Sequence, residues 1–312
     1  MNTLSRNIGL ITPLFVLILV GYCLARWGKW PEETWKGLSG FVFAVALPAL
    51  LFRQMTDLSH LPSVGPQLLL AFFGGCLVVF AIGRFVAWRI FRRDGSEQIV
   101  FALGGVLSNN VLLGIPLAKA TLGDRALPSV AMVLVFNSLV LWTLATVSVE
   151  WTRTHAVSGA ELRAMALSLM KNPVVMSILA GAAIGLLHVP VPEVVNQPLG
   201  MLATAATPLA LVALGATLVR YRVRTEWRLT AGIVVLKLVV QPLAVWGLAS
   251  ALGLPTLETQ VVTLLASISV GANVYLMATR FRVLEGPIAA SLLVSTGLSM
   301  LTTPIVLTLL HA

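Results

Sequence analysis

Long apolar segments dominate this chain and restrict its fold more than any other feature. Ten such segments follow one another, and most are long enough to cross ~30 Å of hydrocarbon as an α-helix. Of the 312 residues, 58% are hydrophobic and only 11% are charged, against about 25% charged in soluble domains. The sequence therefore predicts an all-α integral membrane protein with ten transmembrane helices. These spans, numbered 1 to 10, are Ile8–Ala25, Trp35–Met55, Gln67–Phe91, Ile99–Leu122, Leu127–Trp151, Pro173–Leu187, Pro198–Val219, Arg228–Leu252, Thr259–Thr279 and Pro287–Leu310.

Spans 4 and 9 are interrupted near their middles by polar and small residues. An unwound backbone at mid-membrane is tolerated only where it is buried in protein or lies beside water. A pair of interrupted spans in corresponding positions is typical of a transporter binding site. We therefore expect helices 4 and 9 to be unwound at Asn110–Pro116 and Gly271–Asn273 and to cross there. The candidate substrate-binding residues in these segments are Asn109, Asn110, Gly114, Pro116, Gly271 and Asn273.

The two halves of the chain are related by an internal repeat of about 160 residues. Because each half holds five spans, the second copy is predicted to be inverted in the membrane, with the substrate site between the repeats. We assign residues 1–152 to repeat 1, 153–171 to a cytoplasmic linker and 172–312 to repeat 2. The pairs that share the spacing of 160 are Pro13 with Pro173, Gly21 with Gly181 and Pro48 with Pro208, and Asn110 and Asn273 are 163 residues apart.

Lysine and arginine are distributed unequally between the two sides of the predicted bundle. Four of the loop cations lie on the side of the N-terminus, namely Arg6, Arg53, Lys119 and Arg125. Cytoplasmic loops carry an excess of Lys and Arg, so both termini are predicted to be periplasmic in an inner-membrane protein. The opposite side carries sixteen: Arg26, Lys29, Lys36, Arg84, Arg89, Arg92, Arg93, Arg153, Arg163, Lys171, Arg220, Arg222, Arg224, Arg228, Arg280 and Arg282.

Lys237 lies in the middle of span 8, and an ion at that depth costs at least about 2.5–3.5 kcal/mol unless it faces a partner or a wet cavity. Gln241 follows one helical turn later on the same face. With the asparagine amides and the half-helix N-termini, Lys237 would form an electropositive centre suited to a small organic carboxylate. Asn137 in span 5 and Thr296 in span 10 could complete this pocket, or could serve as interhelical hydrogen-bonding residues.

Several classes of function have no support in the sequence. No span core contains Asp or Glu, which argues against a carboxylate proton relay and a carboxylate-lined sodium site. Cys23 and Cys76 fall within apolar spans and match no metal or nucleophile spacing. No aromatic side chains interleave a basic groove, so no nucleic-acid partner is expected. We expect no metal and no cofactor, and we do not expect an enzyme.

Three motifs resemble the auxin efflux carrier family, which includes plant auxin carriers and bacterial malonate-type transporters. They are Asn110-Val-Leu-Leu-Gly114-Ile-Pro116-Leu, Leu47-Pro48-Ala49-Leu50-Leu51-Phe52 and Gly271-Ala272-Asn273-Val274-Tyr275-Leu276-Met277-Ala278. The resemblance covers essentially the whole chain, and the short linker is similar to that of the bacterial members. It departs from the family at Gly271, in a region where proline is common.

This resemblance implies an elevator-type secondary transporter. Spans 1, 2, 6 and 7 would form a scaffold domain, and spans 3–5 and 8–10 a transport domain with helices 4 and 9 crossing at the site. The expected partners are a small organic anion and membrane lipids, with a homodimer through the scaffold as one option. Two alternatives stay open: a sodium-coupled bile-acid-type symporter, and a membrane-embedded sensor or enzyme.

Overall fold

The computed structural model describes residues 3–56, 65–137, 140, 144, 170–219 and 226–310. These residues are almost entirely helical, apart from one isolated antiparallel bridge between Ser108 and Val270. In chain order the helices are α1 (Thr3–Trp27), α2 (Glu32–Thr56), α3 (Gln67–Arg89), α4 (Gly95–Val106), α5 (Asn110–Leu122), α6 (127–137), α7 (Pro173–Leu186), α8 (Glu193–Leu218), α9 (Trp227–Ala251), α10 (Thr256–Ser267), α11 (Ala272–Phe281) and α12 (Glu285–Leu310).

Six of these helices are long and apolar enough to cross a membrane, namely α1, α2, α3, α8, α9 and α12. They confirm predicted spans 1, 2, 3, 7, 8 and 10 and indicate a multi-pass membrane protein. Spans 4 and 9 are each divided into two shorter helices, and span 6 is the 14-residue helix α7. Much of span 5 and nearly all of the linker 153–171 lie outside the described residues, so the ten-span inverted repeat stays a prediction.

Three of the helices contain a single wide π turn, and each π turn ends two residues before a proline. Proline has no N–H, and its ring crowds the carbonyl four residues earlier. A turn closed by hydrogen bonds to the fifth preceding residue accommodates the ring without unwinding the helix. The turns are Val42–Ala46 before Pro48 in α2, Asn110–Gly114 before Pro116 in α5, and Leu236–Val240 before Pro242 in α9.

Helices α1, α2, α7 and α8 pack against one another, with α1 against α8 and α7 against α2 as the most extensive pairs. Glycines permit these close approaches: a Cβ on Gly21 of α1 would lie 2.1 Å from the Val212 carbonyl oxygen of α8. Likewise, a Cβ on Gly181 of α7 would lie 2.5 Å from the Phe52 carbonyl oxygen of α2. Two glycines matched by the sequence repeat therefore make equivalent helix contacts.

A second group of helices packs around α9. Helix α3 contacts α4, α9 and α10, while α12 contacts α9, α10 and α11. Helix α5 contacts α10 of this group and also α1 and α8 of the first group. The N-terminal end of α5, which begins at Asn110, is thereby held between the two groups of helices.

Candidate functional site

The interruptions of spans 4 and 9 meet in space and pair through their backbones. Helix α4 ends at Val106 and α5 begins at Asn110, and α10 ends at Ser267 while α11 begins at Ala272. Between them, the Asn109 N–H donates to the Ser269 carbonyl at 3.0 Å, and the Gly271 N–H donates to the Leu107 carbonyl at 2.8 Å. We call these two short segments, residues 107–109 and 268–271, the paired breaks. The hydrogen bonds between the two segments satisfy backbone N–H and C=O groups that would be hydrogen-bonded within a helix if the spans were continuous.

The paired breaks lie closer to the N-terminus than the sequence analysis expected. Residues 110–116 were predicted to be unwound, but they form the π turn and first α-turn of α5, because Pro116 is accommodated by the wider turn. In span 9, Gly271 is extended as expected, whereas Ala272 and Asn273 already belong to α11. A Cβ on Gly271 would lie only 2.8 Å from the Ser108 carbonyl oxygen. Glycine at this position therefore permits the close approach of the two segments.

Lys237 lies beside the paired breaks and is completely buried, with 0% of its surface exposed. Its Nζ donates to Ser108 Oγ at 2.8 Å, to the Ala266 carbonyl at 2.6 Å and to Gln241 Oε1. An ammonium group has three protons, so these three oxygen acceptors account for its full hydrogen-bonding capacity. The Lys237 ammonium group, expected at mid-membrane, therefore has protein partners for all three of its protons.

Gln241 continues this network toward the end of α4. Its Nε2 donates to the Val106 carbonyl at 2.8 Å and lies 3.5 Å from Cys76 Sγ of α3. Because its Oε1 accepts from Lys237, the amide has partners at both ends. Lys237 and Gln241, both on α9, therefore connect the C-terminal ends of α4 and α10.

The four helix ends at the paired breaks fall into two electrical classes. A helix C-terminus carries about −0.5 charge and an N-terminus about +0.5. The C-termini of α4 and α10 together amount to about −1, which the single positive charge of Lys237 balances. The N-termini of α5 and α11 have no acidic residue in their first turns. The field near the N-termini is therefore positive.

Asn109 and Asn110 lie on the N-terminal side and are both buried, with 7% and 2% of their surfaces exposed. The Asn109 Nδ2 and both polar atoms of the Asn110 amide have no hydrogen-bond partner in the described part of the chain. Buried polar side chains are nearly always paired in folded proteins, so such a concentration points to a ligand site. The arrangement offers amide donors and positive helix ends to an anion.

A comparison of the chain with protein families identifies its family. The family described as "Membrane transport protein" matches residues 8–307. The chain belongs to that family. Transport proteins related to it include a "Putative malonate transporter" of Rhizobium meliloti (strain 1021), which is 29% identical over 302 residues, covering 94% of this chain and 92% of the relative. This is a membrane transporter and not an enzyme.

Two other relatives come from a bacterium and from a plant. The "Uncharacterized transporter YfdV" of Escherichia coli (strain K12) is 25% identical over 309 residues, covering 97% of each chain. "Auxin efflux carrier component 2" of Arabidopsis thaliana is 29% identical over 137 residues, 43% of this chain and 21% of the relative. The resemblance to auxin efflux carriers stated from the motifs is confirmed.

The remaining candidate residues of this family member have different surroundings. Gly114 is buried, and a Cβ there would lie 2.9 Å from Leu265 of α10, so it serves close packing next to Pro116. Asn273 lies in the first turn of α11 and is exposed. Asn137 is buried and its Oδ1 has no partner among the described residues, whereas the Thr296 hydroxyl donates to the Leu292 carbonyl of its own helix at 2.7 Å. Their assignment to the site stays a prediction.

Three serines at the paired breaks were absent from the predicted site. Ser108 Oγ accepts from Lys237, and Ser295 Oγ of α12 accepts from the Val270 N–H at 3.0 Å. Ser269 is fully buried, and its hydroxyl has no partner among the described residues. Ser108 and Ser269 lie within the interrupted segments, so their position was a usable signal. Nothing local distinguishes Ser295, whose role depends on the packing of α12.

Proposed function

We propose that this membrane transporter carries a small organic carboxylate, with a dicarboxylate such as malonate as the first candidate. The observation on which this depends is a group of buried amide atoms, Asn109 Nδ2 and both polar atoms of the Asn110 amide, which lie beside two helix N-termini and have no hydrogen-bond partner among the described residues. Carboxylate oxygens only accept hydrogen bonds, so amide N–H donors suit them. The name of the Rhizobium meliloti relative supports the same class of substrate.

The balance of charge also supports an anion. Lys237 compensates the negative ends of α4 and α10, so the positive ends of α5 and α11 dominate the field at the amides. In a medium of low dielectric constant, such a fixed positive field stabilises an anionic ligand more than it would in water. Lys237 can favour anion binding without contacting the substrate, because it neutralises the negative helix ends on the other side of the paired breaks.

During transport, one of the two groups of helices is proposed to move relative to the other. Spans 1, 2, 6 and 7 would be the scaffold, and spans 3–5 and 8–10 the transport domain of a ten-span inverted repeat, with helices 4 and 9 crossing at the site. The position of α5 between the groups supports this division, since its N-terminus would pass from one side to the other as the domains slide. Elevator-type alternating access is the mechanism that such a division allows.

Uptake by purified protein in proteoliposomes tests the proposed substrate class. We expect labelled malonate, or another small mono- or dicarboxylate of a screened set, to be accumulated by the wild type. Asn110→Asp keeps the shape of the side chain but adds a negative charge, so it should reduce anion affinity at least tenfold, about 1.4 kcal/mol. A negative charge at a helix N-terminus is otherwise favourable, so folding should be retained.

Two controls make the outcome decisive. Asn196→Ala removes an asparagine in the first turn of α8, which accepts from Arg53 at 2.9 Å, and it should leave uptake unchanged. Absence of uptake for every carboxylate, with well-folded wild type, would contradict the proposed function. Strict dependence on sodium would instead favour the bile-acid-type symporter.

The proposed orientation places both termini in the periplasm of an inner-membrane protein. Reporter fusions after Ala312 and within residues 153–171 should therefore report opposite compartments, because the positive-inside rule assigns the linker to the cytoplasm. A cytoplasmic C-terminal fusion would contradict both this orientation and the inverted repeat.

A further inference from the structure

We propose that the Lys237 ammonium is a tethered cation that occupies a monovalent-cation site between the two half-helix C-termini, so that this transporter needs no diffusible cation there. The inference deepens the proposed function, because it concerns how that transporter is coupled. It makes Lys237 a positioning residue, which acts on the substrate site through the paired breaks.

The oxygen atoms around the ammonium form the first part of the argument. They are a serine hydroxyl, a main-chain carbonyl and a side-chain amide oxygen, contributed by Ser108, Ala266 and Gln241. Neutral oxygens of these kinds also coordinate sodium where transmembrane helices are broken, together with half-helix C-terminal ends. The set is buried and includes no carboxylate, so one positive charge satisfies it.

The origin of the acceptors forms the second part. Ser108 belongs to one of the paired breaks, Ala266 to the end of α10, and Gln241 to α9. The Gln241 amide also donates to the Val106 carbonyl at the end of α4. Without a cation, two helix C-termini of about −0.5 charge each would converge in a buried environment. The ammonium removes this repulsion and fixes the two half-helices relative to each other. Asn109 and Asn110 directly follow Ser108 in the chain, so their positions depend on how the ammonium fixes the two half-helices.

The consequence is a distinct response to cations in a truncation variant. Lys237→Ala removes the charge, keeps the three acceptor oxygens and leaves an empty space where the lysine side chain was. A sodium or methylammonium ion can occupy that space. Lys237→Met removes the charge but fills most of the volume with an apolar chain, so no ion can enter. The matched control is Lys119→Ala. Lys119 lies on α5, is partly exposed and pairs with Asp124 at 3.3 Å.

Thermal unfolding of the purified full chain in detergent gives the first measurement, in choline, sodium, potassium and methylammonium chloride at equal concentration and without carboxylate. We expect the melting temperature of Lys237→Ala to rise by about 2 °C or more in at least one small cation relative to choline. The wild type, Lys119→Ala and Lys237→Met should show no such cation-specific shift. Lys237→Ala in proteoliposomes should also recover malonate uptake at least threefold with the same cation.

A merely structural lysine would not produce cation-specific recovery. Lys237→Ala that melts identically in all four salts would overturn the inference. Should that variant fail to fold, the wild type still decides: equal malonate affinity in sodium and choline is expected, and a tenfold gain with sodium would overturn the tethered cation. Failure of wild-type uptake for every carboxylate would contradict the proposed substrate class instead, so the two failures can be told apart.

Discussion

The two sides of the paired breaks differ in how their buried polar groups are satisfied. On the C-terminal side, every polar side-chain atom of Lys237 and Gln241 has a protein partner. On the N-terminal side, the Asn110 amide has none among the described residues. A buried polar group without a partner costs about 1–3 kcal/mol, so the protein loses stability on one side and gains it on the other. The C-terminal side is thus held by protein contacts, whereas the N-terminal side, only a few residues away, keeps amide groups available to the proposed ligand.

Lys237→Met should have the largest effect, because it acts on the satisfied side. Three hydrogen bonds from a charged donor are lost and their acceptors stay buried, so we expect the free energy of unfolding to fall by about 3 kcal/mol or more. Thermal unfolding in detergent measures it, with Lys119→Met as control. Unchanged melting together with tenfold weaker malonate binding would instead assign Lys237 to direct contact with the anion.

Gly271→Ala should have the next largest effect, because it acts on the contact that holds the two sides together. The new Cβ would lie 2.8 Å from the Ser108 carbonyl oxygen, and overpacking of this kind costs about 1–3 kcal/mol. We expect lower melting and weaker malonate binding together. Gly247→Ala, where a Cβ on α9 meets nothing within 4 Å, is the matched control. Equal behaviour of the two variants would show that close approach of the breaks is unimportant.

Asn137→Ala and Thr296→Val should have the smallest effects, and they sharpen the comparison. The Asn137 Oδ1 lacks a partner among the described residues, so its removal should weaken carboxylate binding by a few-fold if it contributes to the site. The Thr296 hydroxyl already donates to the Leu292 carbonyl, so its replacement should change binding less than about twofold. Isothermal titration with malonate measures both. A larger loss in Thr296→Val than in Asn137→Ala would contradict the rule that unpartnered groups mark the site.

The positions of the breaks show where sequence reasoning loses precision. Pro116 marks a disturbance of span 4, but proline is compatible with a π turn as well as with unwinding, and the structure contains the π turn. The true interruption lies at residues 107–109, where the chain pairs with residues 268–271 of the other half. A contact between segments about 160 residues apart leaves little trace in either segment alone.

The sequence by itself determined the membrane class, six of the long helices, the family and the existence of two interrupted spans, because apolar length and helix-breaking residues act locally. Only the tertiary structure decided which partners the polar residues meet. Lys237 could be recognised as buried from its apolar neighbours, but its coordination by Ser108 and Ala266 required helices α4, α9 and α10 to converge. Asn110 and Asn273 look equivalent in the repeat, yet one is buried and the other exposed, because each side chain's direction depends on where its helix begins and what packs beside it.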